Sequence, residues 1–133
     1  MKTALLISLG GVCGALLRYA AVLFTQQLLR GSFPYGTLLV NVFGCFAAGA
    51  FGARLLTAGT ITEGQRLLLQ VGFLGSFTTF SSYIFECLQL CHNTRYGLAF
   101  VYAMSSNLLG LVFAFLGFLL FRLPITAAFS GSQ

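Results

Sequence analysis

The chain has 133 residues, of which 58% are apolar and 7% are charged, and its formal net charge is +5. Seven basic and two acidic side chains cannot cover the surface of a soluble domain of this size. The composition therefore predicts an integral membrane protein with one compact domain over residues 1–133. The basic residues are too scattered to form the clustered patch of a nucleic-acid-binding protein. They are Lys2, Arg18, Arg30, Arg54, Arg66, Arg95 and Arg122.

Four apolar segments are long enough to cross a bilayer, because about 20 apolar residues in a helix span the hydrocarbon core. They cover about residues 4–24, 35–56, 67–91 and 97–121. Short connectors with Pro, Gly and charged residues separate them, as expected outside lipid. The sequence lacks the ten-residue alternation of a membrane barrel. We therefore predict an all-α, multi-pass protein of a cell membrane.

The first segment begins MKTALLISLGGVCGA, which also has the outline of a secretory signal peptide. Its apolar pattern continues past Arg18 without a break, so we interpret it as the first span. Arg18 lies about 9 Å inside the end of that span, given the helical rise per residue. Two interpretations stay open: the guanidinium reaches the membrane interface, or it lies at the mouth of a water-filled cavity that attracts anions.

The second segment carries one strongly polar residue, Asn41, within GTLLVNVFG. Its carboxamide either joins two helices or offers two N–H donors to a ligand. The fourth segment adds Ser105, Ser106 and Asn107. Serine often bonds to its own helix, so this cluster alone is weaker evidence for a site.

The third segment contains GFLGSFTTFSSY at residues 72–83. Its glycines and hydroxyl residues disfavour a regular helix and predict a break in the middle of the membrane. A broken helix at that depth must be buried in protein or line a cavity, where its carbonyls can hold a cation and its hydroxyls can meet an anion. Phe80 and Tyr83 lie on one face after the break, and their ring edges carry a partial positive charge.

The end of the third segment carries Glu86, the one acidic residue inside a predicted span, followed by CLQLCH at residues 87–92. Glu86 lies near the span end, where it reaches water or pairs with a basic group. Haem attachment needs two residues between the cysteines, and here there are three. We interpret Cys87 and Cys91 as small apolar side chains on a helix rather than as metal ligands with His92.

These features together resemble the Fluc (CrcB) family of fluoride channels. The stretches that carry the resemblance occur in order, one in each predicted span: GGVCGALLRY (10–19), PYGTLLVNVFG (34–44), GFLGSFTTFSSY (72–83) and YAMSSNLLG (102–110). The resemblance implies an antiparallel, dual-topology homodimer with two fluoride pores. It also implies passive fluoride export that lowers the toxic concentration in a microbial cytoplasm.

The basic residues are compatible with dual topology. Four fall on the side of both termini and two on the other, a weak bias that permits insertion in both orientations. In the predicted topology, Lys2, Arg54, Arg66 and Arg122 share one side, and Arg30 and Arg95 the other.

The resemblance also implies a role for particular residues by their position in the motifs. The implied pore residues are Asn41 as the pore amide, Phe80 and Tyr83 as ring edges, Tyr102 and Ser106 as a polar track, and Arg18 as the family's first-span arginine. Gly75 and Thr78 would give backbone carbonyls to a structural sodium ion on the dimer axis, which is not transported. Two positions depart from the family pattern: Tyr83, where phenylalanine is usual, and Gly110, where some members have serine.

The physical chemistry of fluoride agrees with these pore residues. Fluoride is tightly hydrated, so its pathway needs donors that replace the water around the ion and still let the ion leave. The main alternative is a small four-helix, proton-coupled multidrug-type exporter. Such an exporter would be expected to have a carboxylate in the first span, where this chain has Arg18. A purely structural subunit would not need both Asn41 and a broken third span. The sequence shows no intramembrane carboxylate pair or activated nucleophile, so we do not expect an enzyme.

Overall fold

The computed structural model describes residues 1–57 and 61–122, and the described chain is helical. Residues 123–133, the tail predicted after the fourth span, lie outside the described residues, as do residues 58–60 of the second connector. The helices in chain order are α1 (Lys2–Leu28), α2 (Tyr35–Thr57), α3 (Glu63–Gln65), a π-helical segment (Arg66–Leu74), α4 (Gly75–Phe77), α5 (Phe80–His92) and α6 (Tyr96–Arg122).

Four helical stretches of the described chain are long and apolar enough to cross a membrane. They run over Lys2–Leu28, Tyr35–Leu56, Glu63–His92 and Tyr96–Arg122. Each predicted span lies inside one of them, and the helices extend a few residues further at most ends. The largest differences are at the end of the first span, which continues to Leu28, and at the start of the third span. At the third span a capping box between Thr62 and Gln65 begins the helix earlier than hydropathy indicates.

The first and third spans touch through their backbones. A Cβ atom at Gly10 would lie 2.1 Å from the Leu68 carbonyl oxygen, and one at Gly14 would lie 2.3 Å from the Phe73 carbonyl oxygen. Distances this short leave no room for any side chain. Small residues allow helices to approach this closely in lipid, where dispersion contacts replace the hydrophobic effect as the main attraction.

The second and fourth spans pack in the same manner. A Cβ atom at Gly49 of α2 would lie 1.9 Å from the Ala114 carbonyl oxygen, and one at Gly117 of α6 would lie 2.1 Å from the Phe46 carbonyl oxygen. Each helix therefore presents one glycine to the backbone of the other. The fold consists of two such close pairs of spans, which meet where α1 packs against α2 and where the third span packs against α2 and α6.

The third span changes conformation along its length. The π-helical segment Arg66–Leu74 leads into α4, which ends at Phe77. Thr78 and Thr79 then have extended backbone angles, with φ/ψ of −78°/155° and −149°/118°. A new helix, α5, begins at Phe80, and the Thr79 hydroxyl caps it by accepting the Ser82 N–H at 3.2 Å.

Candidate functional site

A groove of about 390 Å³ lies where α2, α4, α5 and α6 meet. It brings together most of the residues that the sequence singles out. Its lining includes Asn41, Gly75, Thr78, Thr79, Phe80, Tyr83, Ser106 and Asn107. The groove is open along one side, so its polar atoms are not fully enclosed by the described residues.

Asn41 joins α2 to the extended residues of the third span. Its Nδ2 donates to the Thr79 carbonyl at 3.0 Å, and its Oδ1 accepts the Thr79 N–H at 2.8 Å. The side-chain amide thereby satisfies both backbone groups of a buried residue that has left the helix. One of the two amide N–H groups is used here, and the second has no partner among the residues that the structure describes.

The same hydrogen bonds change the bonding of two carbonyls. In a continuous α-helix the Thr79 N–H would bond to the Gly75 carbonyl, and the Ser82 N–H to the Thr78 carbonyl. Here the first N–H bonds to Asn41 and the second bonds to the Thr79 hydroxyl. The carbonyls of Gly75 and Thr78 therefore lose their regular helical partners at the edge of the groove.

Two aromatic rings follow the extended residues. The ring of Phe80 is 72% exposed and lies 5.5 Å from the ring of Tyr83, which is buried. Asn107 holds the Tyr83 hydroxyl by donating an Nδ2 hydrogen to it at 3.0 Å, and also donates to the Ala103 carbonyl at 2.8 Å. This interaction fixes the ring of Tyr83 between the groove and the fourth span.

A hydrogen-bonded carboxylate lies behind these rings. Tyr102 is fully buried, its ring meets that of Tyr83 at 5.3 Å, and its hydroxyl donates to Glu86 at 2.6 Å. Thr37 donates to the other carboxylate oxygen of Glu86, also at 2.6 Å. Glu86 borders a second cavity of about 220 Å³ beside the connector between α1 and α2.

These contacts bear on one of the two expectations for Glu86, that it pairs with a basic group, while its place beside a cavity agrees with the other, that it reaches water. The one ion pair of the described residues joins Glu63 to Arg66, so Glu86 is held by two hydroxyl groups rather than by a basic partner. Sequence reasoning missed Thr37 as a member of this site. A signal was available, because Thr37 lies four residues before Asn41 and therefore on the same face of α2.

The remaining sequence candidates take different positions. Ser106 faces the groove, and its buried Oγ has no hydrogen-bond partner among the described residues. Tyr102 lies behind the groove rather than on its surface, and Arg18 is half-buried on α1 away from it. Cys87 and Cys91 are free, and the described residues contain no group of three side chains suited to a metal.

Four spans and a groove that presents polar groups and aromatic rings define a multi-pass membrane protein in which such groups can meet a small ion, as pathway-lining groups do in channels. The sequence profile of a family described as "CrcB-like protein, Camphor Resistance (CrcB)" matches residues 5–118. The chain therefore belongs to the CrcB family and is a multi-pass membrane protein of a microbe.

Curated relatives cover nearly the same length. A "Fluoride-specific ion channel FluC" of Thermus thermophilus is 45% identical over 118 residues, which are 89% of this chain and 94% of the relative. A protein of the same description from Dehalococcoides mccartyi is 40% identical over 117 residues, covering 88% and 90%. A third, from Nitrosococcus oceani, is 43% identical over 116 residues, covering 84% and 90%.

Proposed function

We propose that this protein is a fluoride-selective, passive ion channel that exports fluoride and so lowers its toxic concentration in the cytoplasm. The observation that carries the proposal is the groove, whose exposed groups are neutral donors and ring edges in a chain 45% identical to a fluoride-specific channel. A lysine in this position would bind the anion too tightly to let it leave. Neutral groups replace part of the hydration shell and still release the ion.

The proposed pathway uses donors that the fold leaves available. Asn41 has one amide N–H beyond the one that it gives to Thr79, and Ser106 has a buried hydroxyl with no described partner. The ring edges of Phe80 and Tyr83 lie beside them. Fluoride would pass from these donors toward Tyr102, while Arg18 raises the local anion concentration at one end.

The chain is proposed to act as an antiparallel, dual-topology homodimer. Gly75 is exposed beside two carbonyls that have lost their helical partners. Non-helical backbone cannot face lipid, because its polar groups would be left without hydrogen bonds. If the interruption at Thr78 and Thr79 lies in the middle of the membrane, as we propose, this surface must be covered by protein or face water, and we propose that a second copy covers it.

A structural sodium ion at the dimer axis fits the same surface. Sodium prefers oxygen ligands, and the Gly75 and Thr78 carbonyls are the ones released from helical bonding. Two carbonyls from each copy would supply four oxygens. When bound, the ion would neutralise the carbonyl dipoles and hold the two copies together, without being transported.

The alternative of a proton-coupled multidrug-type exporter has less support. The relatives named above carry the name of a fluoride channel, and Glu86, the acidic residue of α5, is bonded through both oxygens to hydroxyl groups. Proton coupling in such an exporter requires a carboxylate that is free to exchange its proton with the substrate site.

Fluoride efflux from liposomes that contain the purified protein tests the proposal. We expect fluoride to leave down its own gradient without a proton or sodium gradient, while chloride stays inside. Liposomes without protein give the background leak. Equal efflux of chloride, or fluoride flux that stops when the proton gradient is collapsed, would show that the protein is not a passive fluoride channel.

A further inference from the structure

A column of aromatic rings continues beyond the groove to the connector between α1 and α2. After Phe80 and Tyr83 it passes to Tyr102, whose ring meets that of Phe33 edge to face at 5.4 Å and 79°. Phe33 in turn lies 4.6 Å from the ring of Tyr35. The last two rings belong to the connector between α1 and α2 and the first turn of α2.

Phe33 stands where this column meets the outer cavity. It is half-buried and lines the same cavity of about 220 Å³ as Thr37 and Glu86. Tyr102 is fully buried, with Tyr83 against one part of its ring and Phe33 against another. The Phe33 ring therefore separates the Tyr102 ring from the open space of the cavity.

The connector is held to the turn between α5 and α6 by a side-chain contact. The guanidinium of Arg95 donates to the Ser32 hydroxyl, next to Phe33 in the chain. Arg95 follows the turn that ends α5, in which its own N–H bonds to the Leu90 carbonyl at 2.9 Å. Within the connector, the Tyr35 N–H bonds to the Phe33 carbonyl at 2.9 Å. Main-chain and side-chain bonds together fix the position of this ring.

We infer that Phe33 is a positioning residue of the ion pathway: it holds Tyr102 in its hydrogen bond to Glu86, and Arg95 holds Phe33 in place through Ser32. This inference rests on the proposed function. Without the Phe33 ring, the Tyr102 side chain can turn toward the cavity and leave one carboxylate oxygen of Glu86 without its donor. A carboxylate that faces the cavity with a free oxygen repels an approaching anion more strongly.

The first test compares Phe33→Leu, which keeps apolar volume but removes the ring, with Phe33→Tyr, which keeps the ring. We expect Phe33→Leu to lower fluoride efflux from liposomes by roughly two- to tenfold, the range that loss of one edge-to-face pair corresponds to. Phe33→Tyr should recover most of the parent's efflux. Equal efflux from Phe33→Leu and the parent would overturn the inference while leaving the proposed function intact.

A double substitution shows whether Phe33 acts through Tyr102. Tyr102→Phe removes the hydroxyl that Phe33 is inferred to position, so adding Phe33→Leu should then lower efflux little further. A full additional loss in the double variant would mean that Phe33 acts independently of Tyr102, and would contradict the inference.

The contact between Arg95 and Ser32, called the tether below, is tested by removing either partner and by a control with the same change of charge. Arg95→Gln and Ser32→Ala should each lower efflux less than Phe33→Leu does, and combining them should add nothing further. Arg30→Gln is the matched control, because Arg30 lies exposed in the same connector and donates no hydrogen bond among the described residues. If Arg30→Gln has the same effect as Arg95→Gln, the effect comes from net charge and not from the tether.

A measurement without fluoride tests the positioning role of Phe33 separately from the proposed channel function. The chain has five Tyr and no Trp, so its near-ultraviolet circular dichroism above the phenylalanine bands reports on tyrosines. Phe33→Leu should change this tyrosine signal in the same direction as Tyr102→Phe, whereas Arg30→Gln should leave it unchanged. An unchanged signal in Phe33→Leu would refute the positioning role even in a protein that conducts no fluoride.

Discussion

The two halves of the third span are held in place by different kinds of contact. The first half, residues 63–77, lies against the backbone of α1, where a Cβ atom at Gly72 would come within 2.7 Å of the Ile7 carbonyl oxygen. The second half, α5, is held by particular side-chain atoms. The amide of Asn41 bonds to the residue that precedes it, and the ring of Tyr83 packs against that of Tyr102.

This difference separates stability from conduction. The first half packs against α1 because its glycine and those of α1 carry no side chain at the contact, and this packing does not depend on particular hydrogen bonds. The second half depends on donors and ring edges at fixed positions. Substitutions in the first half should therefore act on folding, and substitutions in the second half should act on fluoride flux in a protein that still folds.

The largest expected effect is in the first half. Gly72→Ala places a methyl group against backbone atoms of α1 that cannot move aside, so we expect α1 and the third span to separate, at a cost of about 1–3 kcal/mol or more. Thermal unfolding of the protein in detergent, followed by size exclusion, measures the effect. Gly64→Ala is the matched control, because its Cβ would lie 3.6 Å from the flexible Leu6 side chain. Equal loss of stability in both variants would show that close backbone contact is not the cause.

The second-largest effect, on fluoride efflux, is expected at Asn41, which bonds to Thr79 at the start of the second half. We expect Asn41→Asp to abolish fluoride efflux, because a carboxylate repels the anion and offers acceptors only. The same change places an acceptor against the Thr79 carbonyl, so folding must be checked by size exclusion. Asn41→Ser is neutral and keeps a donor, so it separates loss of efflux by charge repulsion from loss of efflux by disturbed folding. A well-folded Asn41→Asp protein with the parent's efflux would remove Asn41 from the pathway.

Some features of the structure could be predicted from the sequence, namely the four spans and several residues that line the groove. Hydropathy located the four spans, because an apolar run of bilayer length has few other uses. The motif residues around Asn41, Gly75, Phe80 and Ser106 do line one groove. These positions are readable because each combines a polar or conformationally unusual residue with an apolar surrounding.

Other features depend on tertiary contacts that no local pattern encodes. The π-helical segment Arg66–Leu74 has no sequence signature that distinguishes it from an α-helix, since both present similar apolar faces. The partners of Glu86 lie 49 residues before it and 16 residues after it, so only the packed fold reveals them. Phe33 reads in sequence as an ordinary connector residue.

The junction between the two halves provides a third prediction. If the Gly75 and Thr78 carbonyls hold a structural sodium ion between two copies, replacing sodium with a large organic cation should lower the thermal stability of the dimer. Fluoride efflux that remains should carry no sodium with it, which radioactive sodium measures directly. Lithium and potassium series at constant ionic strength control for screening. The same melting temperature in all cations would remove the ion from the proposal.

A smaller effect is expected at Tyr83, within the second half. Tyr83→Phe loses the bond from Asn107, worth about 0.5–1.5 kcal/mol, but keeps the ring edge beside Phe80. We therefore expect Tyr83→Phe to retain most of the fluoride efflux, and Tyr83→Ile, which has no ring, to lose much of it. Strong impairment of Tyr83→Phe would instead assign the role to the hydroxyl. If both variants conduct like the parent, Tyr83 lines no part of the pore.

The smallest effect is expected at the far end of the second half, where α5 stops. Thr94 has a positive φ of 59°, and the N–H groups of Thr94 and Arg95 bond back to the Cys91 and Leu90 carbonyls at 2.9 Å. This is the geometry of a Schellman cap, in which glycine is favoured and a β-branched residue is strained.

Thr94→Gly should therefore stabilise the protein, by about 0.5–1 kcal/mol after allowing for the greater freedom of glycine in the unfolded chain. Thr94→Asn should stabilise the protein less than Thr94→Gly does. Thr94→Val should leave the stability unchanged, because valine keeps the branched Cβ. Thermal unfolding in detergent measures these changes. Fluoride efflux should stay at the parent's level in all three, since the turn keeps Arg95 in place and contributes no donor to the groove. A Thr94→Gly protein that is less stable than the parent would show that the Thr94 hydroxyl, which donates to the Asn93 carbonyl at 2.7 Å, outweighs the backbone strain.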